Sequence, residues 1–365
     1  MQVLTDIPRT PALVIDESIV VRNLNRLAAY AKQHRIGIRP HTKTHKSIEM
    51  AKRQIEAGAV GLTAAKVGEA EAMVEASNDI LLAYPAVDAA RCERLALLAR
   101  TSTIHVAVDS QAALDALSVA ARQAGSRIGI LVDLDVGMHR TGLQSPQAAH
   151  ELAQAVARLS SLRLDGLFFY PGHVWEPAAE QGKPLGLIAA RLEETLSLWS
   201  RSGLAAPIVS GGSTPTAYQS HLIPQGTEIR PGTYIYNDMN TVAAGFCTLD
   251  DCAARLVCTV VSNAVLGKVV IDAGTKTLTS DRNHTRPDSG HGHVVEYPQA
   301  KIIRLSEEHG ELDITGCERA PSIGDRVHVI PNHICPCVNL QDAAWLRSAD
   351  GLLRSIKIDT RGKLS

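Results

Sequence analysis

The sequence predicts an α/β protein, a (β/α)8 barrel joined to a second, mainly β domain. Three observations carry this. Eight short β-rich runs alternate with Ala-, Leu-, Glu- and Arg-rich amphipathic runs as far as residue 240. Beyond residue 240 the runs are strand-like and separated by Gly, Asn and Asp turn signals. The 365 residues exceed a lone barrel of about 250 residues and leave room for a smaller domain. Apolar residues make up 45% and aromatics only 4%, which suits branched aliphatic packing in a sizeable core.

The eight runs are "IGIRP" (36–40), "AVGLTA" (59–64), "DILLAY" (79–84), "TIHVAVD" (103–109), "RIGILVDLD" (127–135), "LDGLFFY" (164–170), "PIVSGG" (207–212) and "TEIRPG" (227–232). Helical patterns such as "KSIEMAKRQIEAG", "KVGEAEAMVEA", "SQAALDALSVAARQAG" and "SPQAAHELAQAVARLS" lie between them. Strand–helix alternation implies parallel strands with right-handed crossovers, and eight such units close into a barrel. An open doubly wound sheet is the rival, but it carries a Gly-rich turn after its first strand, and "RPHTKTHK" is not one. The barrel is placed at 19–240. The second domain takes 241–365 together with 1–18, because "TPALVIDES" (10–18) reads as a strand able to pair with it.

Composition narrows the function. Net charge is −1, so no global field favours nucleic acid or an anionic membrane. No apolar run reaches the roughly 20 residues of a membrane span. "MQVLTDIPRTPALVID" lacks the charged and apolar regions of a signal peptide, so a cytoplasmic location is expected. The seven cysteines are odd in number and scattered, which argues against a disulfide framework.

Barrel enzymes place their chemistry after the C-terminal ends of the strands. Here those positions hold "HTKTHK", "DVGMHRTG", "YPGH", "GGSTPT" and "RPGTYIYND". In the first, a lysine beside Arg39, His41, His45 and Lys46 is expected to have its ammonium form disfavoured by like charge and burial, as nucleophilic amine chemistry requires. A basic loop facing water or an anion is the plain alternative. "GGSTPT" offers close backbone approach and three hydroxyls for a phosphate, or an ordinary turn. Arg140, after the fifth run, could hold a phenolate or carboxylate as a buried guanidinium, or pair with Asp133 or Asp135. In "PNHICPCVNL", His333 and Cys335 sit at i, i+2, on one face if the segment is a strand. Imidazole plus thiolate favours zinc among common cations, and two protein ligands leave coordination positions open, as in a catalytic metal site. Cys337 falls on the same face as a third ligand, and a buried histidine with structural cysteines is the alternative.

Together these motifs resemble the fold-type III pyridoxal-phosphate enzymes, specifically the D-threonine aldolase / D-serine dehydratase branch. "TPALVID", "RPHTKTHK", "DVGMHRTG", "GGSTP", "RPGTYIYND", "DAGTK", "LSEEHG" and "PNHICPCVNL" match in content and order over nearly the whole chain. The resemblance implies an alanine-racemase-like barrel with a C-terminal β domain. It implies that Lys43 is the Schiff-base lysine with Lys46 its neighbour, that Arg140 faces the cofactor's phenolic oxygen, and that Tyr170 approaches the pyridine ring. This chain has "YPGH" where the family often has "YHG", so its histidine, His173, is displaced. Gly211, Gly212, Ser213 and Thr214, with Gly232, Thr233 and Tyr234, are the implied phosphate and cofactor contacts. His333 and Cys335 match the family's metal pair, with zinc first and manganese or magnesium as alternatives.

The implied activity is that of a lyase on D-β-hydroxy amino acids, with a metal holding the substrate hydroxyl. If Lys43 removes the Cα proton and hydroxide leaves, the products are a keto acid and ammonia. If a base such as His173 removes the hydroxyl proton, Cα–Cβ breaks to give glycine and an aldehyde. A thiolate where family aldolases more often show a carboxylate favours dehydration. A racemase needs no metal, and a non-enzymatic cofactor-binding barrel lacks the more than 100 residues that follow the barrel here. Barrels of this type commonly dimerise, so a homodimer is expected.

Overall fold

Short runs of branched aliphatic residues form strands where their alternation lets one side chain face inward and the next outward. The computed structural model describes residue 7 and residues 9–365. The placement of residues 1–6 and 8 with the second domain therefore lies outside the described residues. Strand β1 (Ala12–Asp16) is followed by eight more: β2 (Gly37–Ile38), β3 (Leu62–Ala64), β4 (Asp79–Leu82), β5 (Thr103–Val108), β6 (Ile128–Leu134), β7 (Leu162–Phe169), β8 (Ile208–Gly211) and β9 (Glu228–Ile229). Strands β2 to β9 are parallel neighbours in the order β2-β9-β8-β7-β6-β5-β4-β3. The ring closes where His41 bridges Thr63 and the Val60 N–H donates to the Ile38 carbonyl at 2.8 Å. This is the eight-stranded barrel.

Period-2 alternation sorts the barrel's side chains into two environments. Ile80 and Leu82, Val106 and Val108, and Ile130 and Val132 are buried in the core shared with the surrounding helices. The residues between them, Leu81, Ala107 and Leu131, meet Phe168 in a separate inner cluster. Each buried Val, Leu, Ile or Phe side chain among these contributes about 1.5–3 kcal/mol. Two residues earlier on two of the same strands, the inward positions are charged or polar: Asp79 before Leu81 and His105 before Ala107. They belong to a buried network. His105 Nδ1 lies 2.5 Å from Asp165 Oδ2, Arg39 pairs with Asp79, and Arg39 Nε lies 2.8 Å from Glu228 Oε1. Gly129 is required there, since a Cβ would fall 1.7 Å from Asp165 Oδ2.

Local signals set the helix boundaries. Ser110 and Ser145 accept the N–H groups of Ala113 and Ala148 at the starts of helices Gln111–Ala124 and Pro146–Ala157. Gly125 ends the former in the left-handed region at φ 64°.

The remaining strands are β10 (Ala254–Ser262), β11 (Lys268–Ile271), β12 (Gly292–Val294), β13 (Lys301–Leu305), β14 (Gly310–Asp313), β15 (Arg326–Pro331), β16 (Ala343–Arg347) and β17 (Leu353–Lys357). With β1 they make a nine-stranded sheet in the order β11-β14-β13-β12-β15-β10-β1-β16-β17. Strand β1 pairs antiparallel with β10, Ala12 opposite Val257, and parallel with β16. One expectation is corrected here: "PNHICPCVNL" is not a continuous strand, because Ile334–Asn339 is a helix with His333 at its N-cap. Pro336 sits in the first turn, where its missing N–H has no intrahelical partner to lose.

The chain divides into two compact units. One holds Asn25–Lys43, Ile48–Gly232 and Gly362–Ser365; the other holds the described part of Met1–Leu24, with Thr44–Ser47 and Thr233–Arg361. The division falls inside the helix Glu17–His34 and again directly after Lys43. A continuous amphipathic pattern carries no mark of such a boundary.

Candidate active site

A cavity of about 520 Å³ opens at the C-terminal ends of the barrel strands. Lys43 lines it from the loop after β2, Lys66 after β3, Arg140 after β6, Tyr170 after β7, Gly212 after β8 and Arg230 after β9. Four residues singled out by the sequence, Lys43, Arg140, Tyr170 and Gly212, therefore meet on one cavity.

The Lys43 loop is held by its backbone. The His41 N–H donates to the Pro231 carbonyl at 3.1 Å, and the Thr42 N–H and hydroxyl both donate to the Thr63 carbonyl, at 2.9 and 3.0 Å. Lys43 itself is exposed and projects into the cavity lining. The expectation that Lys43 is buried is corrected. Arg39 is buried in ion pairs with Glu228 and Asp79, and Lys46 Nζ donates to the Thr360 carbonyl at 3.4 Å.

Arg140 is likewise exposed rather than buried, its guanidinium carbon 5.0 Å from the Tyr170 ring centroid. No ion pair joins Arg140 to Asp133 or Asp135 among the described residues, and Asp135 instead lies 2.7 Å from His139 Nδ1. Gly172 makes room for Tyr170, since a Cβ there would lie 2.1 Å from its ring. His173 is exposed and packs near Gly137; it does not line the cavity.

In the loop after β8, Gly212 has φ +85°, a conformation that side chains rarely adopt, and its Cβ would meet Ile229 at 3.1 Å. Gly211 lies against the Phe169 ring. The Ser213 N–H donates to Thr216 Oγ1 at 3.2 Å, and the two hydroxyls lie 3.0 Å apart. Thr214 is buried and its carbonyl accepts the Ala217 N–H. Gly232 is buried, and Thr233 and Tyr234 open the short turn Thr233–Ile235.

Several lining residues, Arg230 and Asp133 among them, were not placed at the cavity by the sequence. Arg230 is buried, donating from Nη1 to Ser210 Oγ and from Nη2 to the Phe169 carbonyl, both at 2.7 Å. Burial brings its guanidinium down to about 10. Burial also pushes the Asp133 carboxyl up to about 6, with Asp109 adding to the rise while Thr141, Arg230 and Arg140 oppose it. Arg230 directly follows β9 and Asp133 is the penultimate residue of β6, so position at a strand's C-terminal end was the available signal.

In the second unit, His333 and Cys335 do meet, through an N-cap rather than a strand face. Burial alone would lower the His333 imidazole, but Cys335, Asp238 and Asp281 together raise it to about 9. His333 Nδ1 lies 3.2 Å from Asp281 Oδ2, which leaves Nε2 for another partner. Cys335 donates to Thr44 Oγ1 at 3.2 Å and lies 3.7 Å from Thr233 Oγ1. Asp238 Oδ2 accepts the Ile334 N–H at 3.1 Å and fixes the start of this helix. Cys337 is corrected as a third ligand. It is fully buried, and its thiol donates to the Leu278 and His333 carbonyls at 3.2 and 3.4 Å. Among the described residues no group of three or more His, Cys, Asp or Glu side chains is arranged to hold a metal ion.

Residues 15–240 match the family described as "Alanine racemase, N-terminal domain", and residues 253–346 match "Putative serine dehydratase domain". The chain is 31% identical over 363 residues to D-threonine aldolase of Arthrobacter sp, covering 97% of this chain and 93% of that protein. It is 30% identical over 370 residues to D-threo-3-hydroxyaspartate dehydratase of Delftia sp. (strain HT23), covering 95% of this chain and 96% of that protein. The crystal structure of D-threonine aldolase from Filomicrobium marinum superposes with a TM-score of 0.90 at 30% identity, covering 98% of this chain and 97% of that one. A D-threo-3-hydroxyaspartate dehydratase with a cysteine-to-alanine change is described as metal-free; it superposes with a TM-score of 0.88 at 28% identity, covering 97% and 98%.

Proposed function

The chain belongs to the D-threonine aldolase / D-serine dehydratase branch of the fold-type III pyridoxal-phosphate enzymes, and from that premise we propose how its residues divide the work. It is a pyridoxal-phosphate-dependent lyase acting on D-β-hydroxy amino acids. The observation that carries the assignment of roles is the meeting of Lys43, Arg140, Tyr170 and Gly212 on one cavity.

The cavity suits the cofactor on three counts. Its volume of about 520 Å³ lies within the roughly 300–1,000 Å³ of small-molecule sites. Lys43, Lys66, Arg140 and Arg230 line it with one carboxylate, Asp133, so cations outnumber anions there, which favours an anionic occupant. Gly212 brings backbone close where a Cβ would crowd Ile229. The cofactor supplies an electron sink for charge developing at the substrate Cα. Lys43 would hold it through Nζ and, when displaced by the substrate amine, remove the Cα proton. Arg140 would hold the phenolic oxygen and Tyr170 would flank the ring. The Gly211–Thr214 loop, with Gly232, Thr233 and Tyr234, would serve the phosphate end.

His333 and Cys335 would hold a divalent cation, zinc first because the thiolate–imidazole pair is soft, with manganese or magnesium as alternatives. Asp281 would orient the His333 ring, as carboxylates orient ligating imidazoles elsewhere. Such an ion acts as a Lewis acid on a bound hydroxyl.

Dehydration to a 2-keto acid and ammonia is the favoured outcome. His173, the candidate base for aldol cleavage, does not line the cavity, whereas Lys43 does. Aldol cleavage to glycine and an aldehyde is the second reading, supported by the 31% identity to an aldolase. A racemase has no use for the His333–Cys335 pair. No helix among the described residues is long and apolar enough to cross a membrane, and a cytoplasmic homodimer completes the proposal.

Product analysis with D-threonine tests the reading. 2-Oxobutyrate plus ammonia supports dehydration, acetaldehyde plus glycine transfers the assignment to the aldolase, and neither pair with added cofactor overturns both.

A further inference from the structure

Of the cations that line the 520 Å³ cavity, Lys66 and Arg230 have no part in the roles given above. Lys43 is assigned to the cofactor and Arg140 to its phenolic oxygen. Arg230 is buried, its guanidinium engaged by Ser210 and the Phe169 carbonyl and lying 3.7 Å from the Phe168 ring centroid. Lys66 remains. It is half-buried, lines the cavity, and has no carboxylate partner among the described residues.

We propose that Lys66 binds the α-carboxylate of the amino-acid substrate. The inference rests on the cofactor reading above and adds a residue to it.

Position supports this. The barrel closes where His41 bridges Thr63, so the loop carrying Lys43 and the turn carrying Lys66 stand side by side on the rim. The turn is fixed: the Ala65 N–H donates to the carboxylate of buried Glu69 at 2.8 Å. The ammonium lies 3.7 Å from the Tyr84 ring centroid, which places it without cancelling its charge. A substrate whose amine replaces Lys43 carries its carboxylate on the adjacent carbon, beside the neighbouring turn. A free ammonium there makes a charge-assisted hydrogen bond.

The test uses the holoenzyme and reads binding apart from turnover. The visible spectrum is titrated with D-alanine, which has no β-hydroxyl, and with 2-aminopropane, which also lacks the carboxylate. Wild-type protein should prefer D-alanine by about tenfold or more, the range of a charge-assisted contact. Lys66→Met should abolish that preference and raise KM by about the same factor for both D-serine and D-threonine, with kcat changing less. Lys66→Arg should restore part of the preference. A preference unchanged in Lys66→Met overturns the proposal. So does a KM effect confined to D-3-hydroxyaspartate, which assigns Lys66 to a side-chain carboxylate, and so does loss of visible absorbance, which assigns it to the cofactor. Wild-type protein that shows no visible absorbance with pyridoxal phosphate instead overturns the cofactor reading itself.

Discussion

The thiol of Cys335 donates to the hydroxyl of Thr44 at 3.2 Å, and Thr44 follows Lys43 in the chain. Thr44 is fully buried, so the contact is shielded from water. Thr44→Val removes the acceptor at nearly constant volume. It is expected to cost about 1 kcal/mol of stability in urea unfolding. Partners of metal ligands typically matter by roughly 10–100-fold in metal affinity, so zinc binding measured against a chromophoric chelator should weaken in that range. Unchanged affinity would reduce the contact to packing.

Lys43 is exposed, and its side chain contributes nothing the fold requires. Lys43→Ala should therefore shift Tm by no more than about 2 °C, as surface changes do. The same variant should lose the visible absorbance that pyridoxal phosphate gives the wild-type protein. Full retention of that absorbance would move the covalent role to another amine.

Asp133 makes stability depend on pH in a definite direction. Its folded value, about 6, stands above the ordinary 3.8 because burial disfavours the charged carboxylate. The folded state therefore holds the proton more tightly than the unfolded state, and stability from this group is full below pH 3.8 and lost as pH rises through about 6. The loss corresponds to roughly 3 kcal/mol at most. Asp133→Asn keeps a neutral polar side chain, so the cofactor-free variant should be more stable than wild type at pH 8 and nearly equal to it at pH 4. A pH-independent difference in urea unfolding would show that charge burial is not the cause.

Much of the barrel is legible because its information is local. Alternation in "DILLAY" and "TIHVAVD" specifies strands, and Ser110, Ser145, Pro146 and Gly125 mark helix ends with residues that act on their own neighbours. Lys43, Arg140, Tyr170 and Gly212 are legible for a related reason: each directly follows a strand, where barrel chemistry gathers. What escaped depends on distant partners. Asp79 and His105 look like strand residues of the wrong polarity until Arg39 and Asp165 supply their counter-charges. The helix at Ile334–Asn339 begins on the carboxylate of Asp238, 96 positions away, which no reading of "HICPC" alone contains. The resulting change of geometry rotates Cys337 away from the face it would share with Cys335 on a strand.

That rotation separates two cysteines which the sequence presents as equivalent. Cys337 is fully buried and hydrogen-bonded to the Leu278 carbonyl, and burial with nearby acidic groups raises its thiol far above the ordinary range. A thiol so held is a poor ligand, since metals bind the thiolate. Cys335 instead touches His333 and the hydroxyls of Thr44 and Thr233. Cys337→Ala should lower stability by about 1–2 kcal/mol through the lost packing and hydrogen bond, with zinc affinity close to wild type. Cys335→Ala should lose about 1 kcal/mol with the Thr44 contact, but there zinc binding falls as well and any residual activity on D-serine becomes insensitive to chelator. In wild-type protein, exhaustive chelation should remove that activity and leave visible absorbance intact, because Lys43 does not depend on the ion. Equal loss of zinc affinity in both alanine variants would restore Cys337 to the ligand set and contradict the helical geometry.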